Sequence, residues 1–164
     1  MFFDKIQNIC NKNKKVAMFI DMDGTIVEYP VFTKKDWFLE TKNEFLQAEP
    51  LIPVIEVLKD ISNIENIDLY ILSLAKTTAI VEEKREWLKK YVSFIPEKNW
   101  IILNKEKEEY TKENRDRIKC EKMKEKLAEY DHAILLDDDH KILKVAQVEL
   151  EDKGTVFHLS SALI

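Results

Sequence analysis

Glycine is almost missing from this chain of 164 residues: Gly24 and Gly154 are the only two. Cysteine is equally scarce. Cys10 and Cys120 are too few for a disulfide framework, so a reducing, cytoplasmic setting is expected, with both thiols acting as packing residues. No apolar run approaches the roughly 20 residues that a membrane-spanning helix needs, and no membrane partner is expected. The opening Met1-Phe2-Phe3-Asp4-Lys5 has no charged stretch leading into an apolar one, so no signal peptide is expected. Positive charge is in deficit. Lys and Arg total 26 against 31 Asp and Glu, a net charge of −5, which argues against duplex nucleic acid as the main partner. His132, His140 and His158 show no metal-ligand spacing and read as structural or exposed. Repeats and low-complexity linkers are absent.

What is present is 45% apolar residues, ordinary for a globular protein, in a length that suits one domain with a full core. Phe2, Ile6 and Ile9 fall near helical spacing, which predicts a short amphipathic helix over 2–13. The apolar run from Val16 predicts a buried strand over 16–21. Residues 26–49 are irregular and rich in aromatics (Tyr29, Phe32, Trp37, Phe38, Phe45) and form the one segment that could stand apart, a small insertion after the first strand. Trp37, Phe38 and Phe45 are expected to pack that insertion onto the sheet rather than to stack on a ligand. Pro53 opens a helix whose Val54, Val57, Leu58 and Ile61 share a face. Further strands are predicted over 67–73, 100–103, 133–136 and 155–159. Helices are predicted over 77–91 and 141–151 and in the later part of the Lys/Glu-dense stretch 104–126, itself expected to be a solvated helical face. Strands that are near-continuous apolar runs and alternate with helices predict an α/β fold, a parallel sheet of about five strands covered on both faces.

The most informative segment is Ile20-Asp21-Met22-Asp23-Gly24-Thr25. Two carboxylates separated by one residue, where a strand gives way to a Gly-Thr turn, repel each other unless a cation or proton lies between them. Gly24 stands where a backbone could approach an anion closely. Ser73 ends the second strand, and Asp137-Asp138-Asp139 follows the fourth. In a parallel sheet the strand carboxyl ends share one edge, and ligands bind there at the topological switch point. With strands one and four as neighbours, Asp21 and Asp137 would face each other. Carboxylate oxygens with a few waters are the ligand set that Mg²⁺ favours. A lysine in 119–122 would complete the constellation, and either Lys119 or Lys122 fits.

This order (DxDGT after an apolar strand, then Ser, then Lys, then an apolar strand ending in DD) resembles the haloacid dehalogenase (HAD) superfamily of phosphotransferases over roughly residues 16–160. The resemblance implies a three-layer, Rossmann-like HAD fold with a minimal cap at 26–49. It also implies an Mg²⁺-dependent phosphomonoesterase in which Asp21 attacks phosphorus to give an aspartyl-phosphate, while Asp23 protonates the leaving alkoxide and then activates water. Asp21, the main-chain carbonyl of Asp23, and Asp137 would hold the metal, with Asp138 supporting the shell. Ser73, Lys119, and the backbone N–H groups of Gly24 and Thr25 would meet the phosphoryl oxygens. Lys119 is preferred over Lys122 because the superfamily's lysine usually lies near the N-terminal end of its helix. Tyr70-Ile71-Leu72-Ser73, Glu83-Lys84-Arg85-Glu86-Trp87-Leu88, Phe94-Ile95-Pro96 and Trp100-Ile101-Ile102 narrow the similarity to the 5′(3′)-deoxyribonucleotidase branch. That favours a nucleoside monophosphate, or another small phosphomonoester, as substrate. The chain departs from that branch in having Leu74 after Ser73 and a shorter cap.

Three other readings compete. A phosphoryl-accepting receiver domain uses similar residues, but in a different order, with the acidic pair first. A HAD-like phosphatase could act on a nucleic-acid or protein phosphate, since a small insertion leaves an open site. A non-catalytic phosphate- or Mg²⁺-binding module would keep the residues without the turnover. Taken singly, Ser73 could be a capping hydroxyl and Asp139 a helix cap.

Overall fold

The computed structural model describes residues 1–28 and 45–164. Five strands form one all-parallel sheet in the order β3-β2-β1-β4-β5: β1 (Val16–Ile20), β2 (Ile67–Ala75), β3 (Trp100–Asn104), β4 (His132–Asp137) and β5 (Gly154–His158). β1 and β4 are buried at every position, as strands covered on both faces must be.

Side chains alternate across the sheet, so each strand feeds two cores. Val16, Met18 and Ile20 of β1, with Ile134 and Leu136 of β4, pack under α1 (Phe2–Lys12), α2 (Ile52–Ile61) and α3 (Thr78–Tyr91). Ala17 and Phe19, with Ala133 and Leu135, pack under α4 (Ile118–Lys126) and α5 (His140–Leu150). The result is a Rossmann-like, three-layer α/β fold. Among the described residues no helix is long and apolar enough to cross a membrane.

The boundaries depart modestly from expectation. β2 runs on through Ser73 to Ala75. Pro53 lies in the first turn of α2, where its missing N–H removes no helical bond. The expected helical face over 104–126 is only partly helical, because 105–117 fold as turns. Side chains there compete for the backbone: Asn104 Oδ1 accepts from the Glu106 N–H, and Asn114 Oδ1 from the Thr111 N–H. Tyr110 anchors these turns against Leu103 and Ile118.

Both ends of the insertion are tied down. The Glu28 N–H donates to Glu49 O, and the Leu51 N–H to Ile26 O. Phe45, in a 3₁₀ turn over Phe45–Gln47, packs edge-on to Trp87, whose indole N–H donates to Ala48 O. The aromatics Tyr29, Phe32, Trp37 and Phe38 lie outside the described residues.

The sheet's strand order reverses between β1 and β4, so its switch point lies there. Ile20 pairs with Leu136, and the Asp21 N–H donates to Leu136 O, which continues the ladder one step and sets Asp21 level with Asp137. Because Ile20 and Leu136 face the first core, the next residue on each strand faces the second, towards α4.

Candidate functional site

α4 supplies the lysine. Lys119 Nζ donates to Asp21 Oδ1 and to Asp137 Oδ2, both at 2.7 Å. Its side chain is 2% exposed, against 8% for Asp21 and 1% for Asp137. Burial alone would pull the Lys119 ammonium down, but the two carboxylates more than offset this and hold it above its ordinary value. The Asp137 carboxyl is pushed up to about 6, first by burial and then by Asp21, with Lys119 and the Asp139 N–H opposing. Lys122 is elsewhere, paired with Glu125 on the surface at 3.4 Å.

Asp21, Asp137 and Asp138 each offer a carboxylate oxygen within 4.8 Å of the others. They border a cavity of about 90 Å³, together with Asp23, Leu74, Arg115, Lys119, Asp139 and Ile142. Asp139 caps α5, accepting from the Lys141 and Ile142 N–H groups. Arg115 lies against it at 3.2 Å. Burial works against the Asp139 carboxylate, but Arg115 and those N–H groups keep it below the usual range.

The DxDGT turn separates its two carboxylates. Gly24 takes φ 75°, a left-handed conformation that a side chain would strain. Its N–H donates to Val27 O at 2.8 Å, and that of Thr25 to Met22 O at 3.1 Å. The expectation that these two N–H groups meet a phosphoryl oxygen therefore needs correction: the turn uses both internally. Thr25 contributes through its side chain instead, donating from Oγ1 to Asp21 Oδ2 at 3.1 Å.

Asp23 belongs to a second circuit centred on Lys84, a residue that the sequence reading quoted for its resemblance but gave no part in the site. Lys84 Nζ donates to Asp23 Oδ2 at 2.7 Å, Ser73 Oγ at 2.8 Å and Leu74 O at 2.8 Å. The Lys84 side chain is 2% exposed, while that of Asp23 is 46% exposed. The Phe45 ring lies 5.3 Å from the ammonium. Ser73 is fully buried on the α3 face of the sheet, against Lys84; Leu74, on the other face, is the β2 residue that borders the cavity.

The structure thus gathers Asp21, Asp137, Asp138 and Lys119 around one point and sets Asp23 at its edge. It places Ser73 behind Asp23 and keeps Lys122 away. Sequence reasoning missed Lys84 and Arg115. Lys84 carried a signal: it falls four residues after Ile80 and three before Trp87, on the buried face of α3. Arg115 carried none, because the fold of 105–117 has no period to read. No protein-family model and no curated protein matches this chain.

Proposed function

We propose that the chain is an Mg²⁺-dependent phosphomonoesterase of the HAD type, working through an aspartyl-phosphate on Asp21. One observation carries this reading: the buried Lys119 joins Asp21 to Asp137 at the switch point, with Asp138 close enough to share a cation. Asp21 is then the nucleophile. Lys119 Nζ holds one of its oxygens and Thr25 Oγ1 the other, which fixes the carboxylate while each oxygen keeps a further lone pair.

The all-oxygen donor set of Asp21, Asp137 and Asp138, with the Asp23 carbonyl, suits Mg²⁺. Burial first, and then Asp21, raises the Asp137 carboxyl, so a cation bound beside it would favour its ionised form. Bound there, Mg²⁺ would neutralise the phosphoryl oxygens and lower the repulsion between two anionic reactants. Lys119 would act on the same charge from the protein side. Asp23, half-exposed at the cavity edge, would protonate the departing alkoxide and later take a proton from water.

The cavity bordered by the described residues is about 90 Å³, well below the several hundred Å³ of a pocket that encloses a small molecule. It has room for a phosphoryl group and an ion, and the remainder of the substrate lies outside it. A nucleoside monophosphate or another small phosphomonoester is the substrate class we favour. The test is phosphate release from p-nitrophenyl phosphate and a panel of nucleoside monophosphates and sugar phosphates in Mg²⁺. Wild type should turn over, and Asp21→Asn should lose about three orders of magnitude or more. Equal release by both proteins would end the assignment.

A further inference from the structure

Lys84 is an expensive residue to bury. A charged ammonium at 2% side-chain exposure persists only when its hydrogen bonds are satisfied, and all three N–H groups here are: by Asp23 Oδ2, Ser73 Oγ and the Leu74 carbonyl. Two of these partners belong to the rigid end of β2, where Ser73 and Leu74 are held by pairing to Ile102 and Leu103 of β3. Only the third partner, Asp23, is in the DxDGT turn. Lys84 is therefore a strut from the sheet and α3 to a single carboxylate oxygen, in a circuit that, among the described residues, shares no hydrogen bond with Lys119.

We propose that Lys84 is a positioning residue for proton transfer by Asp23, with Ser73 as its anchor; the assignment rests on the phosphatase reading above. An ammonium cannot accept a proton from a carboxyl group, so Oδ2 stays an acceptor whether or not Asp23 carries a proton. The charged donor at Oδ2 disfavours a proton there, so the exchangeable proton goes to Oδ1, which makes no hydrogen bond among the described residues, on a side chain that borders the cavity. In the first half-reaction the Asp21–phosphorus bond forms, the phosphorus–alkoxide bond breaks, and the Oδ1 proton passes to the alkoxide. In the second, Oδ1 takes a proton from the water whose oxygen attacks phosphorus, and Asp21 leaves as a carboxylate. Ser73 has its part in the same circuit: fully buried, with its oxygen accepting from Lys84, it anchors the ammonium.

Lys84→Met in the full chain tests this, because methionine fills the stem's volume without the charge. The readout is kcat and kcat/KM, in Mg²⁺, on p-nitrophenyl phosphate and on an alkyl phosphate such as glycerol phosphate. kcat/KM reports the phosphorylation step, in which a nitrophenolate hardly needs a proton and an alkoxide does. The expected result is a loss in kcat/KM at least about tenfold larger on the alkyl substrate, less than the roughly 10²–10⁴-fold of removing an acid–base group outright, and a fall in kcat on both, since hydrolysis is shared. An equal loss in kcat/KM on both substrates, or none, would overturn the assignment while leaving the phosphatase reading intact. Wild type inactive on both substrates would overturn that reading, and this one with it. Should Lys84→Met fail to fold, Lys84→Gln, which keeps N–H donors without the charge, is held to the same ratio.

Discussion

Replacing Lys119 by methionine isolates the electrostatic core of the site from any assumption about catalysis. The substitution keeps most of the buried stem and removes one ammonium that makes two 2.7 Å ion pairs. The carboxylates of Asp21 and Asp137 then face each other in a site where both are nearly inaccessible, with Asp138 beside them. Taking one partner from a buried ion pair costs about 3–5 kcal/mol, because the remaining charge is neither solvated nor compensated. That is a large share of a total stability of about 5–15 kcal/mol. Uptake of a proton limits the loss, since Asp137 is already pushed up to about 6 with the lysine in place. Urea unfolding at pH 7 in EDTA should show a fall of about 3 kcal/mol at unchanged slope. Asp137→Asn added to Lys119→Met should recover part of it by removing charge from the cluster. Lys122→Met, which touches only a surface pair with Glu125, should move stability by no more than about 0.5 kcal/mol. A Lys119→Met loss below about 1 kcal/mol, or one matched by Lys122→Met, would refute the picture of a buried, charge-balanced centre.

Asp137→Asn alone removes a charge that burial disfavours but also one of the two partners of the buried Lys119 ammonium, so in urea unfolding in EDTA at pH 7 its stability should change less than that of Lys119→Met. The same variant should lose the stabilisation that Mg²⁺ gives wild type, and a calorimetric Mg²⁺ titration identical to that of wild type would refute the ligand role. Where α5 faces α4, Lys124 at 2.8 Å and Arg117 hold the Glu149 carboxylate down to about 2, from an ordinary 4.5. A depressed carboxylate contributes stability above its unfolded value that is lost as pH falls through the folded one. Glu149→Gln should therefore flatten the acid limb between pH 4.5 and 2, by no more than about 1 kcal/mol for a pair at the surface. An unchanged limb in acid denaturation would show that the pairs carry no linkage.

The sheet was legible because its strands are near-continuous apolar runs, and the positions at which those runs end in carboxylates marked its working edge. Asp21 and Asp137 could be paired in advance because strand ends of one parallel sheet share an edge, and the observed β1–β4 pairing provides that neighbourhood. Ser73 shows where this reasoning stops. A strand-end hydroxyl is visible in sequence, but its face follows from register: Ile71 packs in the first core, so Ser73 two residues on faces α3 and not α4. Gly24 and Thr25 mislead for a different reason. Their N–H groups are available to an anion only if the turn leaves them open, and the closure onto Val27 and Met22 is a local geometry that composition does not specify. Lys84 was the recoverable miss. A lysine at a core-facing helical position is more informative than the charges around it, because burial demands partners.

The two circuits together explain how a DxD turn tolerates its own charge. Placed side by side, Asp21 and Asp23 would compete for one cation. Here each meets a different element: strand alternation sends Asp21 towards Lys119 on α4, while Asp23, two residues on in the turn, pairs with Lys84 on α3. Each carboxylate then meets its own buried lysine, Lys119 at 2.7 Å and Lys84 at 2.7 Å, from helices on opposite faces of the sheet. Chemistry at such a site needs a nucleophile that stays ionised and an acid–base group that changes state. Those demands are compatible only if the proton on one is insulated from the charge on the other. On the phosphatase reading proposed above, separate lysines would let Asp21 keep its charge on Lys119 while Asp23 changes state beside Lys84.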